Sequence, residues 1–181
     1  QGNKVHIHVA GEMPVLLPGS YSSKVSSAGS LPSGFDPSSY YNATHHPRGL
    51  QMAVYGASDA IQSIGMEWQS VLERVRPDQI SVYAGSAYSQ LDQAGLRGLY
   101  QSPMTGSRIT SKMLPLSLPE MSADFINSYV INSVGNTGTN VGACATFLYN
   151  LRQGMADIQS GQCRVAIVGN SEAPIVPEII E

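Results

Sequence analysis

Gly138-Thr-Asn-Val-Gly-Ala-Cys144-Ala-Thr-Phe-Leu-Tyr-Asn-Leu-Arg-Gln-Gly-Met-Ala-Asp-Ile-Gln-Ser160 places a cysteine between a short strand and a helix. Gly142, Ala143 and Ala145 surround it with the smallest side chains, so a substrate backbone or thioester can come close to the sulfur. From Ala145 onward the apolar residues Leu148, Leu151, Met155 and Ile158 recur at spacings of three and four. That period predicts an amphipathic helix beginning at the cysteine. A thiol at a helix N-terminus faces unpaired N–H groups and the positive end of the helix dipole, which favours the thiolate. Lone cysteines are mostly core filler, but this placement singles out Cys144 as the candidate nucleophile. Cys163 follows Gly161 at the helix exit and has none of these features, so it reads as structural.

Composition bounds the function classes. A chain of 181 residues is long enough for one domain with a substantial core. Charged residues make up 13%, about half the usual ~25%. So few charges predict that part of the surface is covered by another subunit or chain. A net charge of −3 with no Lys/Arg run argues against nucleic-acid binding through bulk electrostatics. Two cysteines make no disulfide framework. No basic-plus-apolar leader opens the sequence and no apolar run approaches ~18 residues, so neither export nor a membrane span is expected. A reducing cytoplasm is the expected location.

Read along its length, the chain alternates helices and strands. Lys4–Ala10 alternates Val5, Ile7 and Val9 with His6 and His8 and predicts a half-exposed strand. Residues 11–34 are rich in Ser, Gly and Pro and read as a loop. Leu50, Ala53, Val54, Ala57, Ile61 and Ile64 form a helical stripe ending at Gly65, and Trp68–Val75 gives a shorter one. Gln79–Ala84 predicts a strand, Tyr88–Tyr100 a helix, and Pro119–Ile131 a helix with Pro119 in its first turn. A strand is expected over Thr139–Gly142. The apolar run Val165-Ala-Ile-Val-Gly169 predicts a strand buried on both faces. This order is the α/β class.

Gly142-Ala-Cys-Ala-Thr146, the following helix with Gly154 and Gly161, the strand Val165–Gly169 and Asn170-Ser-Glu-Ala-Pro174 together resemble the β-ketoacyl-ACP synthases, the condensing enzymes of fatty acid and polyketide synthesis. The turn Gly135-Asn-Thr-Gly138 and the upstream Val9-Ala-Gly-Glu-Met-Pro14 and Phe35-Asp-Pro37 are similar in order as well. The resemblance implies a thiolase-like fold, a mixed buried sheet flanked by helices. Residues 1–181 would supply most of the N-terminal half, incomplete at both ends, with the nucleophile strand-turn-helix at 138–160. The family's opening Thr-Gly-Xaa-Gly strand does not precede Lys4, and its two catalytic histidines and glycine-rich Phe loop would lie beyond Glu181. On that reading the chain is part of a longer synthase and lacks full condensing activity by itself. Met121 stands where many members carry an asparagine nearby.

By the same resemblance Cys144 accepts an acyl group from a thioester and its backbone N–H contributes to the oxyanion hole. Malonyl carried by acyl carrier protein then loses carbon dioxide and condenses with the acyl group. No metal or organic cofactor is implied. The partners implied are acyl carrier protein, the remaining C-terminal part of the synthase, and a second copy in a homodimer. Phe147 either lines the acyl pocket or packs in the core. Arg108 and Lys112 are candidate contacts for an acidic carrier protein or a solvated pair. His6, His8, His45 and His46 lack the further ligands a metal site needs. Two other readings compete. One is a cysteine hydrolase, whose elbow wants a glycine where Thr146 stands. The other is a non-catalytic chain-length or initiation partner, in which the cysteine is usually replaced.

Overall fold

The computed structural model describes residue 4, residues 6–12, 24 and 27, residues 31–172 except 40 and 89, and residues 175, 176 and 179. Helix α1 (Arg48–Gln62) follows a short turn at Pro37–Ser39, and α2 (Trp68–Leu72) comes next. Strand β1 (Ile80–Gly85) is followed by three short helices, α3 (Leu96–Gln101), α4 (Met113–Leu116) and α5 (Met121–Ile126). The two-residue strand β2 (Thr137–Gly138) leads through the cysteine turn into α6 (Thr146–Ser160), and β3 (Val165–Asn170) completes the sheet.

The three strands are parallel in the order β2-β1-β3. Central β1 is buried along its whole length. Its alternate residues sort the layers, because successive strand side chains point to opposite faces. Ile80, Val82 and Ala84, with their neighbours Val165 and Ile167, join Ala53, Val54 and Ala57 of α1 and Ala123 and Ile126 of α5 in the apolar core. The other face, with Tyr83, Ala166 and Val168, receives α6. There Gly154 comes so close that a Cβ on it would lie 3.0 Å from both Ala166 Cβ and Val168 Cγ1. The result is a three-layer α/β arrangement.

Several expectations need correction. Residues 4 and 6–10 are exposed and form no strand. No described strand pairs with them, and alternation without ladder hydrogen bonds does not hold a strand. Residues 13–23 of the expected loop and most of residues 177–181 lie outside the described residues. The helix expected over Tyr88–Tyr100 begins only at Leu96. Before it the chain folds back so that Leu96 N–H donates to Gln90 O at 2.9 Å. The close approach of Gly95 to that same carbonyl allows this, since a Cβ there would stand 2.1 Å from it. Pro119 precedes α5 rather than opening it, and the helix runs on through a wide turn over Asn127–Ile131. Strand β3 is half-buried along its length rather than enclosed on both faces.

The largest difference concerns α6. Its buried residues are Thr146, Asn150, Gly154 and Asp157, spaced four, four and three apart. The apolar stripe lies largely outside, with Leu148 61% and Met155 52% exposed and Ile158 also exposed. Polar bonding explains the inversion. Asp157 accepts hydrogen bonds from Tyr83 Oη and from Gln153 Nε2 (2.8 Å). Burial, together with that carboxylate, raises the Tyr83 hydroxyl above its ordinary value.

Candidate functional site

Parallel strands deliver loops to their carboxyl ends, the usual place for sites in open α/β sheets. The ladder between β1 and β2 stops at Tyr83 and Gly138, so the strand expected over Thr139–Gly142 is absent. The chain instead crosses the end of β1. A Cβ on Gly85 would stand 2.1 Å from Thr139 Oγ1, so a side chain at residue 85 would block that path. Asn150 on α6 then takes hold of the loop, accepting a hydrogen bond from Asn140 N–H at 2.8 Å.

Cys144 sits in a tight turn, Ala143–Ala145, that runs directly into α6. Three hydrogen bonds help to close this turn. Ala145 N–H donates to Gly142 O at 2.9 Å. Thr146 Oγ1 accepts from Gly142 N–H at 3.0 Å and donates to Ala143 O at 2.7 Å. Ala143 is held at φ 48°, a left-handed conformation that few non-glycine residues adopt. Such strained residues cluster where a turn must present a functional group. The Tyr149 ring covers the turn from the other side, since a Cβ on Gly142 would lie 2.1 Å from its Cε2.

Cys144 is exposed, whereas Cys163 is 2% exposed, and neither forms a disulfide. Cys163 N–H donates to Asp157 O at the end of α6, which fits its reading as structural. Phe147 is partly exposed and lines an apolar groove together with Met52, Ala57, Ala84, Ile167 and Gly169. The groove therefore joins the first turn of α6 to α1 and the sheet. A recess beside Tyr41, Tyr55 and Asp59 has no lining residue from the cysteine turn.

Two further contacts fasten the same end of the sheet. The Glu172 carboxylate, two residues past β3, accepts hydrogen bonds from Ala87 N–H and Tyr88 N–H. Asp92 Oδ2 accepts from Arg48 N–H at the start of α1 at 2.7 Å. Sequence reading overlooked Thr146, Asn150 and Glu172. For the first two a signal existed: the polar and small residues of α6 recur at helical spacing on the face opposite the apolar stripe.

The remaining candidates are dispersed. Arg108 and Lys112 are exposed, as are His6, His8 and His45. His46 lies in the loop before α1, but it is packed among aromatic rings. Its ring stacks on Tyr41 and meets Phe125 edge-on, with centroids 5.5 and 4.9 Å away. Burial, aided by Lys112 and His45, lowers its pKa below the usual histidine value. Among the described residues no group of three His, Cys, Asp or Glu could hold a metal ion, and no helix is long and apolar enough to cross a membrane.

Comparison with known proteins adds an independent line. Residues 17–181 match the family described as beta-ketoacyl synthase, N-terminal domain. The chain is 57% identical over 157 residues to the beta-ketoacyl-[acyl-carrier-protein] synthase FabY of Pseudomonas aeruginosa, covering 87% of this chain and 25% of that protein. It is 32% identical over 76 residues to the fatty acid synthase subunit alpha of Saccharomyces cerevisiae, covering 42% of this chain and 4% of that protein. Among solved structures it superposes on the noncanonical ketosynthase FabY from P. aeruginosa with a TM-score of 0.77 and 56% identity, covering 82% of this chain and 23% of that one. The chain thus spans about a quarter of the length of the FabY protein it resembles. With the residues from 17 to the last matched to one family and the fold shared with a solved ketosynthase, this chain belongs to the beta-ketoacyl synthase family.

Proposed function

We propose that residues 1–181 form the N-terminal part of a β-ketoacyl-ACP synthase domain and carry its nucleophile, Cys144. The reading rests chiefly on one observation. An exposed cysteine is held in a hydrogen-bonded turn at the carboxyl end of a parallel sheet, directly before a fifteen-residue helix. The Cys144 thiolate attacks the carbonyl carbon of an acyl thioester, and a new C–S bond forms. The carbon–sulfur bond to the carrier breaks, and the carrier leaves as a thiolate that takes a proton from water. The oxyanion of the tetrahedral intermediate needs donors, and the Cys144 backbone N–H is one. Malonyl-ACP then breaks its bond to the carboxylate and releases carbon dioxide. The resulting carbanion forms a carbon–carbon bond with the acyl carbonyl and returns the Cys144 thiolate. On this reading the second oxyanion donor and the catalytic histidines come from the remaining part of the synthase.

Acyl carrier protein bearing acyl and malonyl groups is the partner this chemistry requires, and the apolar groove lined by Phe147 supports reading that residue as part of an acyl-binding wall. The protein works as a homodimer in the cytoplasm, in keeping with its low charge content. The test uses a protein carrying this chain together with the region that extends beyond it in the relatives. After incubation with an acyl-ACP, the expected result is one acyl group on Cys144, stable until malonyl-ACP is added and then lost with release of carbon dioxide. Rapid hydrolysis of that adduct by water would point to a cysteine hydrolase. No adduct at all would point to a non-catalytic partner.

A further inference from the structure

We propose that Asn150 is a positioning residue for Cys144, acting through the loop that delivers the cysteine. The inference rests on the reading of Cys144 as the nucleophile. Asn150 is fully buried on the second turn of α6. Its Oδ1 accepts from Asn140 N–H at 2.8 Å and from the Thr139 hydroxyl at 3.3 Å. Its Nδ2 donates to Thr139 Oγ1 at 3.0 Å and to Gly169 O at 3.2 Å. Two protons and two lone pairs are the whole capacity of a carboxamide, so each bonding position is used.

The partners decide the role. Residues 139–142 have left the β ladder, so no strand pairing fixes them. Thr146 and Ala145 secure the far end of this segment at Gly142 and Ala143. Asn150 secures the near end and references it to Gly169 at the end of β3. Through Thr139, which crosses Gly85, it also references the loop to the end of β1. The turn bearing the sulfur is thus located against two strands by one side chain. Attack on a thioester depends on placing the nucleophile and its oxyanion donor together, and a 1 Å error can cost about a hundredfold in rate. Asn150 itself is fully buried, so its effect passes through the loop to Cys144.

The experiment uses the longer protein described above and measures the single-turnover rate of Cys144 acylation by acyl-ACP, with melting temperature alongside. Asn150→Leu and Thr139→Val are each expected to slow acylation by about 10- to 100-fold. The double variant should be no slower than the slower single one, because both remove the same linkage. Thr139→Ser, which keeps the hydroxyl, should keep the rate. Val82→Ala, a core change remote from the turn, should lower the melting temperature without slowing acylation of the folded protein. If Asn150→Leu does not fold, Thr139→Val and Thr139→Ser decide alone. Unchanged acylation in the Leu and Val variants, or additive losses, overturns the positioning role and leaves the nucleophile standing. Absence of acyl-Cys144 in the unaltered protein overturns both.

Discussion

The hydroxyl of Thr146 donates to the carbonyl of Ala143 across 2.7 Å, so a side chain from the first turn of α6 holds a non-glycine residue in a left-handed conformation. The same oxygen accepts from Gly142 N–H. Thr146→Val removes both interactions while keeping the shape of the side chain. It should cost about 1–3 kcal/mol of stability, since Gly142 N–H loses its partner in a packed turn while Ala143 O keeps only the Thr146 backbone N–H. It should also slow acylation of Cys144, whereas Thr146→Ser should restore both. Urea denaturation and intact-protein mass measure the two effects.

Ala143 is the strained member of that turn. A branched side chain tolerates the left-handed region poorly, so Ala143→Val should destabilise the protein by about 1–2 kcal/mol. Ala143→Gly should be tolerated, because glycine enters that region without a Cβ clash. A denaturant midpoint for the Val variant equal to that of the Gly variant would contradict the strain.

Gly142 and Tyr149 share one space. Gly142→Ala should displace the tyrosine ring or the turn and reduce acylation. Adding Tyr149→Ala should recover much of the loss, because the obstructing ring is gone. Single-turnover rates for the two single variants and the double variant test this coupling.

His46 gives a pH signature. Its pKa in the folded chain lies below the ordinary 6.5, first through burial and then through Lys112 and His45. The unfolded chain therefore takes up the proton at higher pH than the folded one. Stability contributed by the neutral ring is present above pH 6.5 and declines as pH falls towards the folded value. The denaturation midpoint of the natural sequence should drop between about pH 7.5 and about pH 5.5, and His46→Phe should flatten that part of the decline.

Much of this architecture is legible in residue order. The stripe from Leu50 to Ile61 becomes α1, the apolar run at residues 80–84 becomes the buried central strand, and Val165–Gly169 becomes its parallel neighbour. Cys144 lies where the small residues around it suggest, in a turn that opens a helix. What periodicity misread was which face of α6 packs. An apolar stripe is a sound guide only when burial is driven by apolar contact. Here Asn150 and Asp157 find enough hydrogen-bond partners to be buried, and Gly154 lets the helix approach. Lys4–Ala10 failed for a related reason: alternation records what a strand could bury and not whether an edge is there to pair with it. The wide turn at Asn127–Ile131 is set by the Asn127 side chain, which accepts from Ser133 N–H at 2.9 Å and donates to Ser133 O at 3.0 Å. Contacts of that kind leave no periodic trace.

The outward apolar side of α6 has a practical consequence for handling. Leu148, Met155 and Ile158 form a greasy strip on a molecule with a net charge of only −3, so little electrostatic repulsion keeps neighbours apart. Expressed alone, these 181 residues will stick to one another and to surfaces, and detergent or glutamate replacements along the strip will be needed to keep them in solution.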